Sequence, residues 1–195
     1  MFNSLYFRLN LSTLLVLIGF LIITGAVLDN AYLESARFSL RERMLGQLYP
    51  LLNASTVDAA GKLVMPIATE LPLPLLALPN SGLYAFVSSN HREDLLWRSP
   101  SFRDMQTPGL IKLQLGEKHW SDVKLQDGND YYLLGYGFQR ALKTGVHSFN
   151  FFLMTELAPL QNQIAVFRQR LWGGLIAVTL LLIVAQMLVF SQTMR

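Results

Sequence analysis

Few residues of this sequence are of the types and spacings that perform chemistry. The 195 residues include no cysteine, which excludes disulfides and thiolate metal sites. They contain no phosphate-binding glycine loop, no Gly-x-Gly-x-x-Gly and no His-Glu-x-x-His, so no catalytic, cofactor or metal residue is assigned. His91, His119 and His147 lie too far apart for a metal-ligand motif. Their chemical use would be pH sensing, whereas the commoner role of such histidines is that of an ordinary strand residue.

A second group of residues combines aromatic rings with arginine, a mixture that recognises small anionic or amphipathic molecules. The seven members on predicted strands are Trp97, Arg98, Trp120, Tyr131, Tyr132, Tyr136 and Arg140. The candidate ligand site assigned from them is Trp97, Arg98, Tyr131, Tyr132 and Arg140. Residues of these types more often form plain core and rim, and nothing in them names a ligand or cue.

Strands are predicted around these side chains. The predicted strands are Leu83–Ser88, Leu95–Arg98, Trp120–Gln126, Tyr131–Phe138 and Val146–Thr155. The first two flank a polar turn at Asn90–Asp94, and the next two flank Asp127-Gly128-Asn129-Asp130, a strong hairpin signal. A short strand is also expected within Ala59–Met65, and the four prolines of Pro66–Pro79 predict an irregular segment. Together they predict an antiparallel sheet.

A long helix is predicted over Asp29–Asn53, ending near Pro50. Its apolar side chains form two stripes, Leu33, Leu40, Met44 and Leu51 in one and Phe38, Leu45 and Leu52 in the other. A charged row, Glu34, Arg37 and Arg41, runs between them. Two stripes would serve two partners, the protein's own sheet and a second copy of the chain; the alternative is one wide buried stripe with snorkelling arginines. A second helix is predicted over Glu156–Arg170, with Pro159 in its first turn.

The sequence is 52% hydrophobic and only 15% charged, because two segments of twenty residues carry no charge. These segments, Leu9–Leu28 and Leu171–Phe190, are each long enough to span a bilayer core of about 30 Å. The first is longer than a secretory core and is expected to remain as an anchor. Helix packing within the spans is expected at Gly19, Gly25, Gly173, Ala177 and Gln186.

Arg8 before the first span and Asp29 after it favour an inside amino terminus, although Arg168 and Arg170 then lie outside, against the trend. Residues 1–8 are therefore expected in the cytoplasm, 9–28 and 171–190 in the bacterial inner membrane, 29–170 in the periplasm, and 191–195 at the start of a cytoplasmic linker. Lysine and arginine form no run that would suggest nucleic acid.

This order of span, helix, strands, helix and span resembles the N-terminal half of a bacterial two-component sensor histidine kinase of the PhoQ-like type. The resemblance rests on the arrangement, on YAFVSSNHREDLLWRSPSF as strand–turn–strand and on FNFFLMTELAPLQNQI as last strand into exit helix. It implies an α+β membrane protein with a periplasmic sensor domain of the PDC class, a long N-terminal helix and a homodimer. It also implies a HAMP linker, an ATP-binding kinase domain and a response regulator as partner beyond Arg195.

The sequence departs from that family in one respect that bears on its cue. PhoQ-like sensors carry an acidic cluster that binds divalent cations, and here Glu93-Asp94 is the single adjacent acidic pair. The leading expectation is a signal-sensing module that passes an outside cue inward by helix displacement. The alternatives are the same module with another output, such as a cyclase or chemoreceptor, and a non-signalling two-span scaffold or assembly protein. Whether the parent protein is an enzyme rests on the resemblance alone.

Overall fold

The computed structural model describes residues 4–58, 60–90, 94–102, 105–142 and 145–193. The helices are α1 (Ser4–Ala54) and α2 (Ala158–Thr193). The strands are β1 (Thr56–Val57), β2 (Leu63–Val64), β3 (Leu83–Ser89), β4 (Leu95–Arg98), β5 (Lys118–Lys124), β6 (Asp130–Leu142) and β7 (Gly145–Glu156). His91 and Glu93 of the predicted polar turn lie outside the described residues, as do the last two residues of the predicted linker.

Within these residues, five strands form an antiparallel sheet in the order β4-β3-β7-β6-β5, as the alternation patterns predict. β7 is the central strand, paired with β3 on one side and with β6 on the other. The hairpin at Asp127–Asp130 joins β5 to β6, with Gly128 at φ +83° in its turn. β1 and β2 form a separate two-stranded ladder, in which β2 is the short strand expected within Ala59–Met65 and β1 precedes that segment.

The sheet has two buried faces of different composition. One, which we call the loop face, packs Tyr84, Phe86, Phe152 and Met154 against Phe102 and other residues of the segment after β4. Side chains alternate along a strand, so the opposite face carries the buried Leu134, Phe151 and Leu153. We call this second surface the helix face, because contacts from Arg41 and Ser55 at α1 reach its side chains.

α1 buries three of the four residues of one predicted stripe, and the fourth, Leu33, is half-buried. Leu40, Met44 and Leu51 are at most 4% exposed. In the other stripe Leu52 is buried, but Phe38 remains 66% exposed. The described residues therefore do not form the single wide buried stripe of the alternative interpretation.

α1 continues one turn beyond Pro50, where the sequence predicts its end. Proline removes one backbone hydrogen bond, but the burial of Leu51 and Leu52 favours one more helical turn. The helix ends at Ala54, and the N–H of the next residue, Ser55, donates to the carbonyls of both leucines while its hydroxyl donates to that of Leu52. Tertiary burial outweighs the local stop signal.

The chain divides into two compact units. One, which we call the helical unit, contains the stretches up to Phe38 and from Leu160 onward. The other, which we call the sheet unit, contains Ser39–Pro159 with both sheets. Of the described helices, the first from Leu11 and the second as far as Leu188 contain segments long and apolar enough to cross a membrane. Only 6% and 0% of their most apolar windows are buried inside the protein, so these segments are not core helices of the sheet unit.

Candidate functional site

The five residues of the predicted ligand site do not share one surface. Trp97 and Arg98 are neighbours on β4, and Tyr131 and Tyr132 are neighbours on β6, so each pair is divided between the two faces. Arg98 and Tyr131 belong to the loop face, whereas the other three, including Arg140, belong to the helix face. On the helix face, Trp97 lies three strands from β6, a distance of about 14 Å.

Tyr132 takes part in an aromatic–arginine contact with residues outside the predicted set. Its ring stacks on Trp120 of β5 with centroids 5.6 Å apart. The Arg41 guanidinium lies 5.5 Å from the Trp120 centroid and 5.9 Å from that of Tyr132, and Arg41 Nε donates to Tyr132 Oη at 2.7 Å. This cation–π cluster joins α1 to the β5–β6 edge of the sheet.

Arg140 makes a second connection between α1 and β6. Its Nη1 donates to the carbonyl of Ser55 at 3.0 Å, just past the last turn of the helix. A cation there also complements the negative end of the helix dipole. The two arginine contacts therefore bracket the buried part of α1, and Arg140 serves this connection rather than a pocket shared with Trp97.

Tyr131 has a structural partner of its own. Its hydroxyl donates to Asp127 Oδ2 at 2.6 Å, across the β5–β6 turn, and Asp127 Oδ1 accepts from the Asn129 N–H. The hydrogen bond from Tyr131 lowers the pKa of Asp127. Burial, followed by that hydrogen bond, raises the pKa of Tyr131. Tyr131 thus closes the hairpin, with its side chain buried in the loop face.

A buried polar cluster on the loop face is a better ligand candidate than the predicted set. Ser88 of β3 and Asn150 of β7 lie directly opposite each other and are each 1% exposed. Asn150 Nδ2 donates to Asn90 Oδ1 at 3.2 Å and to the carbonyl of Ile111 at 3.0 Å. Among the described residues, Ser88 Oγ and Asn150 Oδ1 have no hydrogen-bond partner. Unpaired buried polar atoms are costly, so these two oxygens require a hydrogen-bond donor such as an ordered water or a ligand group.

The sequence signal for this cluster was present but weak. Asn150 interrupts the otherwise apolar run Phe149–Met154, and a buried amide in such a run requires partners. Its partners Asn90 and Ile111 are 60 and 39 residues away along the chain. Their position cannot be read from spacing. The same holds for Arg41, which the helical projection assigns to a charged row between two apolar stripes.

The helical unit contains three adjacent contacts between α1 and α2. Arg168 binds Asp29 through two hydrogen bonds, Nε to Oδ1 at 2.7 Å and Nη2 to Oδ2 at 2.9 Å. Beside this pair, the rings of Tyr32 and Phe167 stack with centroids 3.8 Å apart. On the other side Gly25 is buried, and a Cβ there would lie 2.7 Å from Leu175 Cδ1.

The other predicted packing residues of the spans are placed differently. At Gly19 and Gly173 a Cβ would have no heavy atom of the described chain within 4 Å, apart from those of its own helix and chain neighbours. Ala177 is exposed, and Gln186 is half-buried. Gly25 is therefore the predicted small residue that the α1–α2 contact uses.

Within residues 4–58, 60–90, 94–102, 105–142 and 145–193, no three His, Cys, Asp or Glu side chains are grouped so as to hold a metal ion. No known protein family, curated protein or solved structure matches the chain. A functional assignment therefore depends on the arrangement itself, a sheet with a buried polar cluster and two long apolar helices.

Proposed function

We propose that this chain is the transmembrane sensing module of a bacterial two-component sensor histidine kinase. Both apolar helices would cross the inner membrane, and the sheet would form a PDC-like sensor domain in the periplasm. The observation that carries the proposal is that α1 is one helix from Ser4 to Ala54, which contains both an exposed apolar segment and the stripe buried on the sheet.

The second apolar helix supports the same proposal. β7 is the central strand of the sheet, and a single residue, Leu157, separates its end at Glu156 from the start of α2 at Ala158. The Leu157 N–H donates to the carbonyl of Asp130, which keeps this junction attached to β6. A change in the sheet therefore has two covalent routes into apolar helices, which suits signalling by small helix displacements.

The loop-face cluster around Ser88 and Asn150 is the proposed ligand contact. A cue changes an equilibrium only if it binds one arrangement better than the other. The cluster lies between β3 and β7 and the carbonyl of Ile111, so a bound molecule would alter how the segment after β4 covers the central strand. The chemistry implied is that of a small polar molecule with a hydrogen-bond donor.

The family resemblance also implies binding partners for this chain. A homodimer would place a second copy against the exposed side of α1, which includes Phe38. An ATP-binding kinase region and a response regulator would act on the cytoplasmic side. The two-span scaffold remains the opposing outcome, because it needs the same helices but no transfer of a signal.

Topology is tested first, in spheroplasts that express the chain with a carboxyl-terminal tag. External protease should cut near Pro72, in the irregular segment between β2 and β3, and leave the tag protected. If this segment resists until the membrane is broken, the periplasmic domain is excluded.

Signal transfer is tested with chimeras in which α2 is joined to the linker and kinase region of a characterised sensor kinase at several helical offsets. At one or more offsets, Asn150→Leu should change autophosphorylation relative to the unmodified chimera. The matched control is Asn53→Leu, an exposed asparagine on α1. Equal output from all three chimeras at every offset would favour the scaffold.

A further inference from the structure

The ion pair between Asp29 and Arg168 lies at the end of both apolar segments, one residue past Leu28 and three residues before Leu171. It is two-pronged, with both carboxylate oxygens used, and the Asp29 side chain is only 17% exposed. Two-pronged arginine–carboxylate pairs fix orientation as well as distance. The pair therefore restricts the relative position of its two side chains more than an ordinary exposed salt bridge does.

We propose that the Asp29–Arg168 ion pair sets the lengthwise register of α2 against α1, and that displacement of α2 along α1 requires this pair to break. The inference rests on the proposed signalling function for its biological meaning, but the register itself is a property of the helix pair. Arg168 is thus a positioning residue for the transfer of the signal.

The neighbouring contacts explain why one register is preferred. One helical turn, about 5.4 Å, separates Arg168 from Ile164 and from Trp172 on the same side of α2. A slide of one turn in either direction would bring one of these uncharged side chains to Asp29 and leave the carboxylate without its cation. The same slide would remove Leu175 from Gly25, where the missing Cβ gives it room.

The surroundings of the Asp29–Arg168 ion pair make its loss costly. In the proposed orientation the pair lies where the helices leave the bilayer, and charge interactions strengthen as the local dielectric falls. Tyr32 and Phe167 stack beside it at 3.8 Å and reduce access of water from that side. A displacement of α2 alone therefore starts with the separation of Arg168 from Asp29.

The absence of cysteine makes a direct test possible in the full chain in membranes. Gly25→Cys is combined in turn with Leu175→Cys, which reports the observed register, and with Leu171→Cys or Thr179→Cys, which report shifts of one turn. Oxidative cross-linking should favour the 25/175 combination. Adding Arg168→Gln should raise the ratio of shifted to in-register cross-links about fivefold, the upper end of the range for an exposed ion pair.

Arg170→Gln is the matched control, because two residues along a helix turn a side chain by about 200°, away from Asp29. The exchange Asp29→Arg with Arg168→Asp should restore the original ratio, which separates loss of the pair from a general folding defect. An unchanged ratio in Arg168→Gln, or equal ratios in the two glutamine variants, overturns the register proposal.

The proposed function can fail separately. If the ratio changes as expected while the kinase chimeras show no dependence on Asn150, the ion pair sets the register in a protein that does not signal. If the chimeras respond but Arg168→Gln leaves the cross-links unchanged, the function stands and this role for Arg168 is wrong.

Discussion

Arg41 and Tyr132 lie 91 residues apart in the sequence, yet Arg41 Nε donates to the Tyr132 hydroxyl at 2.7 Å. The contact joins the helix that carries the first apolar segment to the edge of the sheet. The guanidinium also lies over Trp120, so the arginine is held by a hydrogen bond and by two aromatic faces. Together with Arg140 at Ser55, it defines where α1 lies on the helix face.

Tyr132→Phe should lower the free energy of unfolding by about 1 kcal/mol, because it removes one hydrogen bond with a charged donor at a half-buried site. The same change in an Arg41→Ala background should cost much less, since the donor is already gone. Urea denaturation of the full chain in detergent measures both. Tyr136→Phe, on the same strand and face, is the control; equal effects of Tyr132→Phe in both backgrounds would show that the two residues are not coupled.

Gly137→Ala should destabilise the sheet by about 2 kcal/mol, the range typical of overpacking. A Cβ at position 137 would lie against the carbonyl oxygen of Gln114, and backbone cannot rotate away as a side chain can. Gly109→Ala is the control, because nothing in the described chain lies within 4 Å of its Cβ position. Thermal melts followed by circular dichroism should separate the two variants; matching melting temperatures would contradict the close approach.

Leu48→Ala should cost about 2–5 kcal/mol of stability, since Leu48 of α1 is 0% exposed. Phe38→Ala, on the 66% exposed side of the same helix, should change the stability of a single chain by little. If the proposed homodimer uses that side, Phe38→Ala should instead weaken association. Urea denaturation and sedimentation in detergent distinguish these effects, and a large loss of monomer stability in Phe38→Ala would contradict the observed exposure.

Ser88→Ala should leave the protein equally stable or stabilise it by about 1 kcal/mol, because the hydroxyl is buried without a partner within the described chain. Asn150→Ala should destabilise it, because the amide donates to Asn90 and to the Ile111 carbonyl. Denaturation in purified form tests both. A clear loss of stability in Ser88→Ala would mean that a bound water or ligand satisfies the hydroxyl, and repeating the measurement after exhaustive dialysis separates those two sources.

The Asp127–Tyr131 hydrogen bond should make stability depend on acid pH. The folded-state pKa of Asp127 lies below the ordinary value of 3.8, so the folded state binds the proton less readily than the unfolded state. The contribution is complete above pH 3.8 and is lost as the pH falls through the lower folded-state pKa. Tyr131→Phe should flatten this acid limb in urea denaturation between about pH 2 and 6, whereas an unchanged slope would assign the limb to other carboxylates.

The elements of the sheet could be predicted from sequence because the signals for them are local. Alternating side chains located the strands of the five-stranded sheet, and the Asp127–Asp130 turn fixed one hairpin. Local signals failed where burial decided the outcome, as at Pro50, beyond which α1 continues for another turn. The strands predicted from local signals are also shorter than β6 and β7, because the ends of this long ladder are held by pairing between the strands rather than by composition.

The candidate sites could not be predicted, because each depends on contacts between distant segments. The predicted ligand site combined Tyr131 with Tyr132, although alternation places consecutive strand residues on opposite faces. Asp29 and Arg168 are 139 residues apart, and the sequence alone treats Arg168 only as a charge outside the second span. Pairings of this kind become visible only when the register of two helices or two strands is known.

The position of β7 has a consequence for how the protein is made. β7 is the last strand to leave the ribosome, yet it occupies the middle of the sheet between β3 and β6. Until Phe151 and Leu153 have been synthesised, β3 and β6 have no central neighbour, and the helix face lacks the strand at its centre. Assembly of the sheet is thus postponed until β7 has been synthesised, so the earlier strands need protection from aggregation until then.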